Sequence, residues 1–332
     1  MKLRFGILGT GNIAKQFATG VTKSTLTTLT AVGSRTSAAA EAFAKKYGIA
    51  SAHGSYEALL ADSSVDAIYV SLPNNMHHEW TINALRAGKH VLCEKPIATT
   101  AAEAEEMFDV AERSGRMLVE AFMYRAHPQT LAAVKAVRDG AIGKVRVIRT
   151  SFCYRTRKIE GNIRFDSALA GGALMDIGCY CLDFSRLIAG GEPTGVSAEG
   201  LIGSQGVDTL VSGSLKFGDD CVANFVCGMI AQADNAALIC GEDGWIRIPV
   251  PWKPTGQCGF TIERQTPPKQ DGAATSRPPL ERIDLVEPRD VYGIEADAFA
   301  NTVINSAAPF MSRSDSLGTM RLLERVGAII RA

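Results

Sequence analysis

Apolar runs of strand length alternate with helical segments through the first third of the chain. The runs cover residues 4–8, 27–33, 66–71, 91–93 and 117–121. They are nearly continuous, which is typical of parallel strands that are buried on both faces. The segments between them, such as 37–47, 79–87 and 101–114, have helical spacing. This alternation predicts an α/β domain over residues 1–122, built on a doubly wound parallel sheet.

After Tyr124 the alternation stops and strand-like segments dominate. A helix predicted at 128–139 is followed by strands at 144–154, 196–203, 209–217, 221–229, 236–240 and 245–248. Polar turns join these strands, as in an antiparallel meander. The Pro-, Gly- and Lys-rich stretch 266–279 is expected to be an exposed loop, and helices at 293–306 and 313–330 follow it. We predict a second, α+β domain over residues 123–332 with a large, mainly antiparallel open sheet.

Composition narrows the classes of function. The 332 residues include 35 Lys+Arg and 35 Asp+Glu, and this balance argues against nucleic acid as a partner. No run is apolar over the roughly 18 residues of a membrane span, and residues 1–4 enter the first strand without a signal-peptide core. The eight cysteines lie mostly in apolar runs, so we expect reduced thiols and a cytoplasmic location. Histidines and cysteines do not cluster at ligand spacings, so no metal site is expected.

The turn after the first strand carries a glycine-rich motif, Gly9-Thr10-Gly11-Asn12-Ile13-Ala14. It has the form G-x-G-x-x-A between a strand and a helix. Gly9 permits the tight turn, Gly11 leaves room for a pyrophosphate at the helix N-terminus, and Ala14 lets helix and strand pack closely. A glycine-rich turn without a ligand is the alternative, but the strand–turn–helix context favours a dinucleotide.

The end of the second strand, Ser34-Arg35-Thr36, indicates which dinucleotide is bound. An acidic residue at this point would bind the ribose 2′-hydroxyl of NAD, whereas an arginine suits the 2′-phosphate of NADP. Residues 33–37 contain no Asp or Glu. The sequence therefore predicts a preference for NADP(H), with NAD(H) as a possible second cofactor.

Other strands of the first domain also end in unusual residues. Leu72-Pro73-Asn74 is followed by His77, and Glu94-Lys95-Pro96 and Glu120 end the next two strands. A lone Glu-Lys pair is usually a solvated strand end. In an open parallel sheet, however, ligands bind outside the carboxyl ends of the strands. Because all these features lie at that edge, we interpret Glu94-Lys95 as part of a site.

One helix, predicted at residues 171–183, interrupts the strands of the second domain. Asp176, Tyr180 and Asp183 are spaced i, i+4 and i+7 along it, so they share one face. The same spacing is typical of a solvated stripe on a surface helix. Gly172 and Gly178 leave room for another part of the chain to come close.

Together these residues resemble the Gfo/Idh/MocA oxidoreductases, the family of glucose-fructose oxidoreductase and inositol dehydrogenase. Four motifs carry the resemblance: the glycine-rich turn at 9–14, Pro73-Asn74-x-x-His77, Glu94-Lys95-Pro96, and Gly171-Gly172-x-x-x-Asp176-x-Gly178-x-Tyr180-x-x-Asp183. Residues 120–125 also resemble members that act on aldoses and trans-dihydrodiols. Many members have His at the position of Tyr180. The branch of glucose-fructose oxidoreductase and the dihydrodiol or xylose dehydrogenases has Tyr.

The resemblance implies an N-terminal Rossmann domain, a C-terminal sheet domain, and hydride transfer between a carbinol carbon and the nicotinamide. Tyr180 would be the general acid/base. Because a tyrosine has an ordinary pKa of about 10, it needs a nearby cation. Lys95 aligns with the family lysine and would supply that cation and hold the substrate oxygen. Asp176 would orient the substrate, Glu94 anchor its turn and His77 brace the cofactor loop.

Two sets of binding residues are expected from the motifs and from the resemblance. The cofactor-binding set is Gly9, Thr10, Gly11, Asn12, Ile13, Ser34, Arg35, Thr36, Leu72, Pro73, Asn74, His77, Glu94 and Lys95. The substrate-binding set is Lys95, Arg125, Tyr154, Arg164, Phe165, Asp176 and Tyr180.

The sequence leaves several alternatives open. An aldose 1-dehydrogenase, a trans-dihydrodiol dehydrogenase and an inositol- or ketose-type reductase are all compatible with it. A non-catalytic NADP-binding sensor is a further alternative, although retention of Lys95 and Tyr180 favours an enzyme acting on a sugar, polyol or diol. We also expect an exposed apolar sheet face carrying Val211, Leu215, Phe225 and Val226. With the resemblance, this face predicts a homodimer or dimer of dimers through the sheet.

Overall fold

The computed structural model describes residues 2–265 and 280–332, so the loop expected at 266–279 lies outside the described residues. The chain forms two compact units. The first unit consists of Met1–Ala126, Ala168–Ala170 and Arg289–Arg321, and the second of His127–Ser167, Gly171–Pro288 and Leu322–Ala332. The first unit thus takes in a late segment of the chain that the sequence alone assigned to the second domain.

A six-stranded, fully parallel sheet forms the centre of the first unit, and it confirms the predicted doubly wound α/β fold. Its spatial order is β3-β2-β1-β4-β5-β6. The strands are β1 (Leu3–Leu8), β2 (Thr27–Gly33), β3 (Ser51–His53), β4 (Ala67–Val70), β5 (His90–Glu94) and β6 (Leu118–Ala121). The short edge strand β3 has only three residues, too few for a recognisable pattern.

Helices connect these strands and continue through both units. They are α1 (Asn12–Val21), α2 (Ser37–Tyr47), α3 (Tyr56–Leu60), α4 (His77–Arg86), α5 (Ala101–Arg113), α6 (Pro128–Arg138), α7 (Cys179–Ala189), α8 (Val291–Asn305) and α9 (Arg313–Ile329). Threonine side chains cap two of them, since Thr36 accepts the N–H of Ala39 and Thr100 that of Glu103. No helix in the described part of the chain is long and apolar enough to cross a membrane.

Aromatic side chains fill the core of the first unit. Phe5 of β1 packs edge-on against Phe17 of α1, with ring centroids 5.5 Å apart. Phe17 in turn stacks on Tyr69 of β4 at 3.7 Å. All three side chains are fully buried, and burial of each apolar side chain contributes about 1.5–3 kcal/mol. Tyr69 therefore brings a hydroxyl into an otherwise apolar core.

An eight-stranded sheet forms the second unit, in the order β14-β13-β12-β11-β7-β10-β9-β8. Its strands are β7 (Val145–Cys153), β8 (Gly195–Ile202), β9 (Asp208–Phe217), β10 (Cys221–Gly228), β11 (Ala237–Gly241), β12 (Gly244–Ile248), β13 (Gln257–Arg264) and β14 (Glu281–Val286). The mainly antiparallel sheet is confirmed, although it is not a simple meander because β7 and β10 pair in parallel. The sequence did not indicate β13 and β14, whose exposed, charged positions interrupt an apolar pattern.

Most apolar residues of the second sheet lie on a different face from the one expected. Val211, Leu215 and Phe225 are buried, and α7 packs on this side against β7 and β10. These three residues therefore belong to the core of the unit, and the expectation that they form an exposed apolar face is wrong. Val226, the fourth residue expected there, lies on the opposite face and is half-buried. Alternation along each strand sends the neighbours of the buried residues to the opposite face, where Ser212 and Asn224 are exposed.

Candidate active site

The glycine-rich turn lies where β1 ends and α1 begins. Gly9 has φ +96°, a conformation that favours glycine. Gly11 precedes the helix without a side-chain cap, and a Cβ placed on it would meet nothing within 4 Å. The first turn of α1 contains no acidic residue. The start of this helix thus has no side-chain cap and leaves open space beside Gly11, which suits a pyrophosphate.

Ser34, Arg35 and Thr36 follow the neighbouring strand β2 at the same edge of the sheet. Ser34 is buried and its N–H donates to His53 O at 3.1 Å, whereas Arg35 is exposed. Thr36 caps α2. An exposed guanidinium at the end of β2, the strand that pairs with β1, fits a dinucleotide with an additional phosphate. These residues thus fit NADP(H) in both charge and position along the sheet edge.

The turn after β4 leads into a 3₁₀ helix, Asn74–Met76, and then into α4. The side-chain amide of Asn74 donates to Ala170 O at 2.9 Å, and that of Asn75 donates to Ala168 O at 3.1 Å. Ala168–Ala170 belongs to the first unit, so both bonds lie within it. The Asn74 side chain, expected at the cofactor, is therefore engaged by the protein main chain.

Three side chains act on the backbone of the turn that carries Lys95. The carboxylate of Glu94 accepts the N–H of Lys95 at 3.2 Å, and that of Glu120 accepts the N–H of Ile97 at 2.9 Å. His77 Nδ1 lies 2.8 Å from Pro96 O, while its Nε2 lies 2.9 Å from Leu72 O. His77 therefore bridges the turn after β4 and the turn after β5, which accords with the bracing role expected for it.

The three side chains that contact this turn, which we call the clamp, are those of Glu94, Glu120 and His77. They are buried, while Lys95 itself is half-buried. Glu94 is 6% exposed and Glu120 fully buried. Tyr69, beneath the turn, donates its hydroxyl to Glu94. Burial and then the charge of Glu94 raise the pKa of Tyr69, so it stays a neutral donor. Burial lowers the pKa of His77, which favours the neutral imidazole.

In the second unit, the predicted helix at 171–183 begins irregularly. Leu174–Gly178 forms a π-helical turn, and the regular helix α7 starts at Cys179. π-Helical turns are rare in proteins, and those that occur are often found at functional sites. Asp183 is fully buried and Tyr180 is 3% exposed. The alternative of a solvated stripe on a surface helix is therefore excluded.

Asp176 in the π-helical turn is the centre of a polar cluster. Its Oδ2 accepts from Tyr154 Oη at 2.6 Å and from Arg164 Nε at 2.9 Å. Burial, and then the negative charge of Asp176, raise the pKa of Tyr154, which therefore donates as a neutral phenol. Three of the residues predicted to bind substrate thus come together.

Aromatic rings surround Tyr180. Its ring centroid lies 5.3 Å from that of Phe152 and 5.9 Å from that of Trp252. Trp252 stacks on Phe152 at 5.7 Å and donates its indole N–H to Ser151 O at 2.9 Å. The sequence did not single out Phe152 or Trp252, because no motif links them to the helix. Phe152 and Trp252 reach Tyr180 only because strands and loops that are distant in sequence come together in the fold.

Two remaining predicted residues are buried, each within its own unit. Arg125 belongs to the first unit, is 6% exposed, and has its guanidinium 3.5 Å from the carboxylate of Asp315. Phe165 ends a 3₁₀ helix, Ile163–Phe165, in the second unit and is 2% exposed. Within residues 2–265 and 280–332, no group of His, Cys, Asp and Glu side chains could hold a metal ion.

The first unit thus has the fold and glycine-rich turn of a dinucleotide-binding Rossmann protein, and the second unit has a large open sheet. Residues 3–122 match the family model "Oxidoreductase family, NAD-binding Rossmann fold", and residues 130–247 match "GFO/IDH/MocA C-terminal domain". The chain belongs to the Gfo/Idh/MocA family of oxidoreductases, and the predicted family is confirmed.

Similar proteins of known activity come from the predicted branch. The chain is 34% identical over 324 residues to D-xylose 1-dehydrogenase (NADP(+)) 2 of Haloferax volcanii, covering 98% of this chain and 96% of the relative. It is 36% identical over 258 residues to trans-1,2-dihydrobenzene-1,2-diol dehydrogenase of Mus musculus, covering 77% of each chain.

Solved structures show the same similarity. Aldose-aldose oxidoreductase from Caulobacter crescentus, complexed with glycerol, superposes with a TM-score of 0.87 at 28% identity and covers 100% of this chain and 98% of its own. A 3-ketoreductase from Actinomadura kijaniata with NADP and TDP-benzene gives 0.84 at 31% identity, covering 99% of this chain and 98% of its own.

Proposed function

We propose that this protein is an NADP(H)-dependent dehydrogenase or reductase that transfers a hydride between the nicotinamide and a carbinol or carbonyl carbon of a sugar, polyol or dihydrodiol. The observation that carries the proposal is the clamped Lys95 turn at the nucleotide-binding edge, in a chain that also holds Tyr180 and Asp176 on one helix. The xylose and dihydrodiol dehydrogenases among the relatives support this substrate class.

In the proposed reaction, Tyr180 moves the proton of the substrate hydroxyl. During oxidation its Oη takes this proton, and during reduction it returns a proton to the carbonyl oxygen. Lys95 binds the same oxygen and favours the ionised form of the phenol through its ammonium charge. Bound NADP+ supplies the hydride acceptor. Asp176, already bonded to Tyr154 and Arg164, orients a further substrate hydroxyl.

Other solved proteins support the choice of these two residue types. Structures of the 3-ketoreductase include variants with a lysine replaced by alanine or glutamate and a tyrosine replaced by phenylalanine. A lysine and a tyrosine are also the groups that we assign to the chemistry here. The relatives that are named as dehydrogenases and oxidoreductases favour an enzyme over the alternative of a non-catalytic sensor.

Initial rates on a substrate panel test this proposal. Purified protein is incubated with NADP+ and D-xylose, other aldoses, inositol or trans-dihydrodiols, and with NADPH and the matching carbonyl compounds. We expect saturable turnover with at least one sugar or diol. Tight NADP(H) binding without turnover of any member of the panel would favour the sensor instead.

The cofactor assignment has its own test in Arg35→Asp. The exchange replaces an attractive charge by a repulsive one beside the 2′-phosphate. Loss of a charge-assisted bond costs about 1.5–3 kcal/mol, so the Kd for NADP+ should rise by roughly 10–100-fold while that for NAD+ changes little. Fluorescence titration with both nucleotides measures the two constants. A wild type that prefers NAD+ would contradict the assignment.

We also propose a homodimer or dimer of dimers, assembled through the open face of the second sheet. Val222 on this face is 43% exposed, and its neighbours include both charged and polar groups, which suits a self-complementary contact. Light scattering at micromolar concentration tests the assembly, and a monomer would contradict it.

The free state of all eight cysteines supports a reducing, cytoplasmic location.

A further inference from the structure

A buried carboxylate from a neighbouring strand holds the start of the helix that carries Tyr180. Asp208 is the first residue of β9 and is 1% exposed. Its Oδ2 accepts the N–H of Leu174 at 2.6 Å, and the N–H of Ala173 also favours its ionised form. The guanidinium of Arg331 lies 3.7 Å from its Oδ1. Asp208 thus faces two donors of the helix start and one positive charge.

The glycine pair before this helix explains how the carboxylate reaches it. Gly172 has φ +123°, and a Cβ placed on it would collide with Asp208 Oδ1. A Cβ on Gly171 would lie 2.5 Å from Arg164 O. The two glycines therefore make room for different neighbours. One admits the Asp208 side chain, and the other admits the main chain of Arg164, whose guanidinium binds Asp176.

The local sequence offers no substitute for Asp208. The first residues of a helix have N–H groups without partners in the helix, and a Ser, Thr, Asp or Asn at the N-cap usually satisfies them. Here the residue at that position is Ala173, which makes no side-chain cap bond. A carboxylate supplied by β9 replaces the missing cap. The helix start is therefore fixed to the sheet of the second unit.

Burial of this carboxylate is unfavourable in itself. Desolvation raises the pKa of Asp208, although the two N–H groups and Arg331 oppose the shift. A buried charge is retained only where donors and counter-charges compensate it. Its bonds to the helix start are directional, so they define the position of the π-helical turn more closely than apolar packing does.

We propose that Asp208 is a positioning residue for catalysis, which holds the Leu174–Gly178 turn so that Asp176 and Tyr180 take up their working orientation. This inference rests on the proposed function of Tyr180. Small misplacements of reacting groups cost large rate factors, up to about 10²-fold for 1 Å. Loss of the Asp208 anchor should therefore lower kcat and leave the nucleotide site of the first unit unchanged.

The test compares Asp208 with a matched carboxylate of the first unit. Asp297 is 6% exposed, accepts the N–H groups of Thr25 and Leu26 at 3.2 and 3.0 Å, and has Arg289 at 3.6 Å. Asp208→Asn, Asp208→Ala and Asp297→Asn are assayed for kcat, for KM of the sugar or diol, for Kd of NADP+, and for Tm.

We expect Asp208→Asn, which keeps one acceptor, to lower kcat by about tenfold and Asp208→Ala by more, up to roughly 10²-fold. The Kd for NADP+ should be unchanged in both. Asp297→Asn should lower Tm while its kcat stays within about twofold of the wild type, because it has no contact with the catalytic helix. Unchanged kcat in the Asp208 variants, or an equal loss of kcat in Asp297→Asn, would overturn the inference.

Arg331→Gln decides the question if the Asp208 variants do not fold. Arg331 is 53% exposed, so the exchange removes a charge without opening the core. A loss of kcat of about twofold or more with unchanged Kd for NADP+ supports the inference, and wild-type kcat overturns it. Tyr180→Phe separates the two proposals. If it abolishes turnover while the Asp208 and Arg331 variants do not affect it, only the positioning role fails. If Tyr180→Phe retains near-normal turnover, the acid/base role of Tyr180 fails, and with it the positioning role that rests on it, although the protein is still a dehydrogenase.

Discussion

The two groups assigned to the chemistry are held in different ways. In the first unit, the contacts are made with the main chain around Lys95. Glu94 accepts the N–H of Lys95 and Glu120 that of Ile97. The imidazole of His77 lies against Pro96 O. In the second unit, the contacts are made with the ring of Tyr180, which lies against Phe152 and Trp252.

This difference has a consequence for each side chain. Hydrogen bonds to the main chain fix the position of the Lys95 backbone, and its side chain is half-buried. Aromatic packing against Phe152 and Trp252 fixes the ring of Tyr180, which is 3% exposed, and keeps water away from it. A lysine whose backbone is fixed and a tyrosine whose ring is fixed suit the proposed roles of binding an oxygen and of transferring a proton.

The largest effects are expected from removing the two groups themselves. Tyr180→Phe keeps the ring and its contacts, so kcat should fall by about 10²–10⁴-fold with little change in the Kd for NADP+. Lys95→Met should lower kcat at least as much, since it removes a charge and the proposed contact with the substrate oxygen. The double variant should lose little more than the worse single variant. Near-normal turnover in Tyr180→Phe would exclude it as the acid/base.

A smaller effect is expected from loosening the main-chain clamp. Glu120→Leu removes the acceptor of the Ile97 N–H, so the Lys95 turn should shift and kcat should fall by up to roughly 10²-fold. Glu103→Gln is the control, because Glu103 accepts the N–H of Thr99, two residues further along the same segment, at 2.9 Å. Steady-state kinetics of both variants measure the contrast. Equal losses in the two variants would show that the clamp is not specific to the Lys95 turn.

The smallest effect on activity is expected from Asp62, a carboxylate of the first unit outside the proposed site. Hydrogen bonding by Ser64, and then pairing with His53, lower the pKa of Asp62 to about 2 from its ordinary value of 3.8. Because its folded pKa lies below the unfolded one, Asp62 stabilises the fold above about pH 4 and loses this effect as the pH falls towards 2.

Asp62→Asn should therefore lower the free energy of unfolding at pH 7, with kcat unchanged, and the difference from wild type should disappear between pH 4 and pH 2. Urea unfolding at several pH values measures it. Asp139→Asn is a control, since Asp139 is 58% exposed and forms a surface i,i+4 pair with Lys135. A difference that grows as the pH falls would contradict the assignment.

The fold, and the residues at the carboxyl ends of the strands in the first unit, could be predicted because short stretches of sequence indicate them. Gly9, Arg35 and Lys95 each lie within two residues of the end of an apolar strand, so one short stretch of sequence predicts both the strand and the candidate site residue. The second unit was harder to predict. The cap from Asp208 and the rings of Phe152 and Trp252 reach the helix from strands and loops remote in sequence. The π-helical turn likewise depends on these tertiary contacts, which periodicity does not encode.

The most direct test of the account follows the transferred hydrogen. D-Xylose, or a dihydrodiol that the panel identifies, is prepared with deuterium on the carbinol carbon and oxidised with NADP+ in ordinary water. Mass spectrometry of the nucleotide should show the deuterium on the nicotinamide ring. In Tyr180→Phe the reaction should be slower, but the label should still arrive there. Recovery of the deuterium in water, with none on the nucleotide, would contradict hydride transfer.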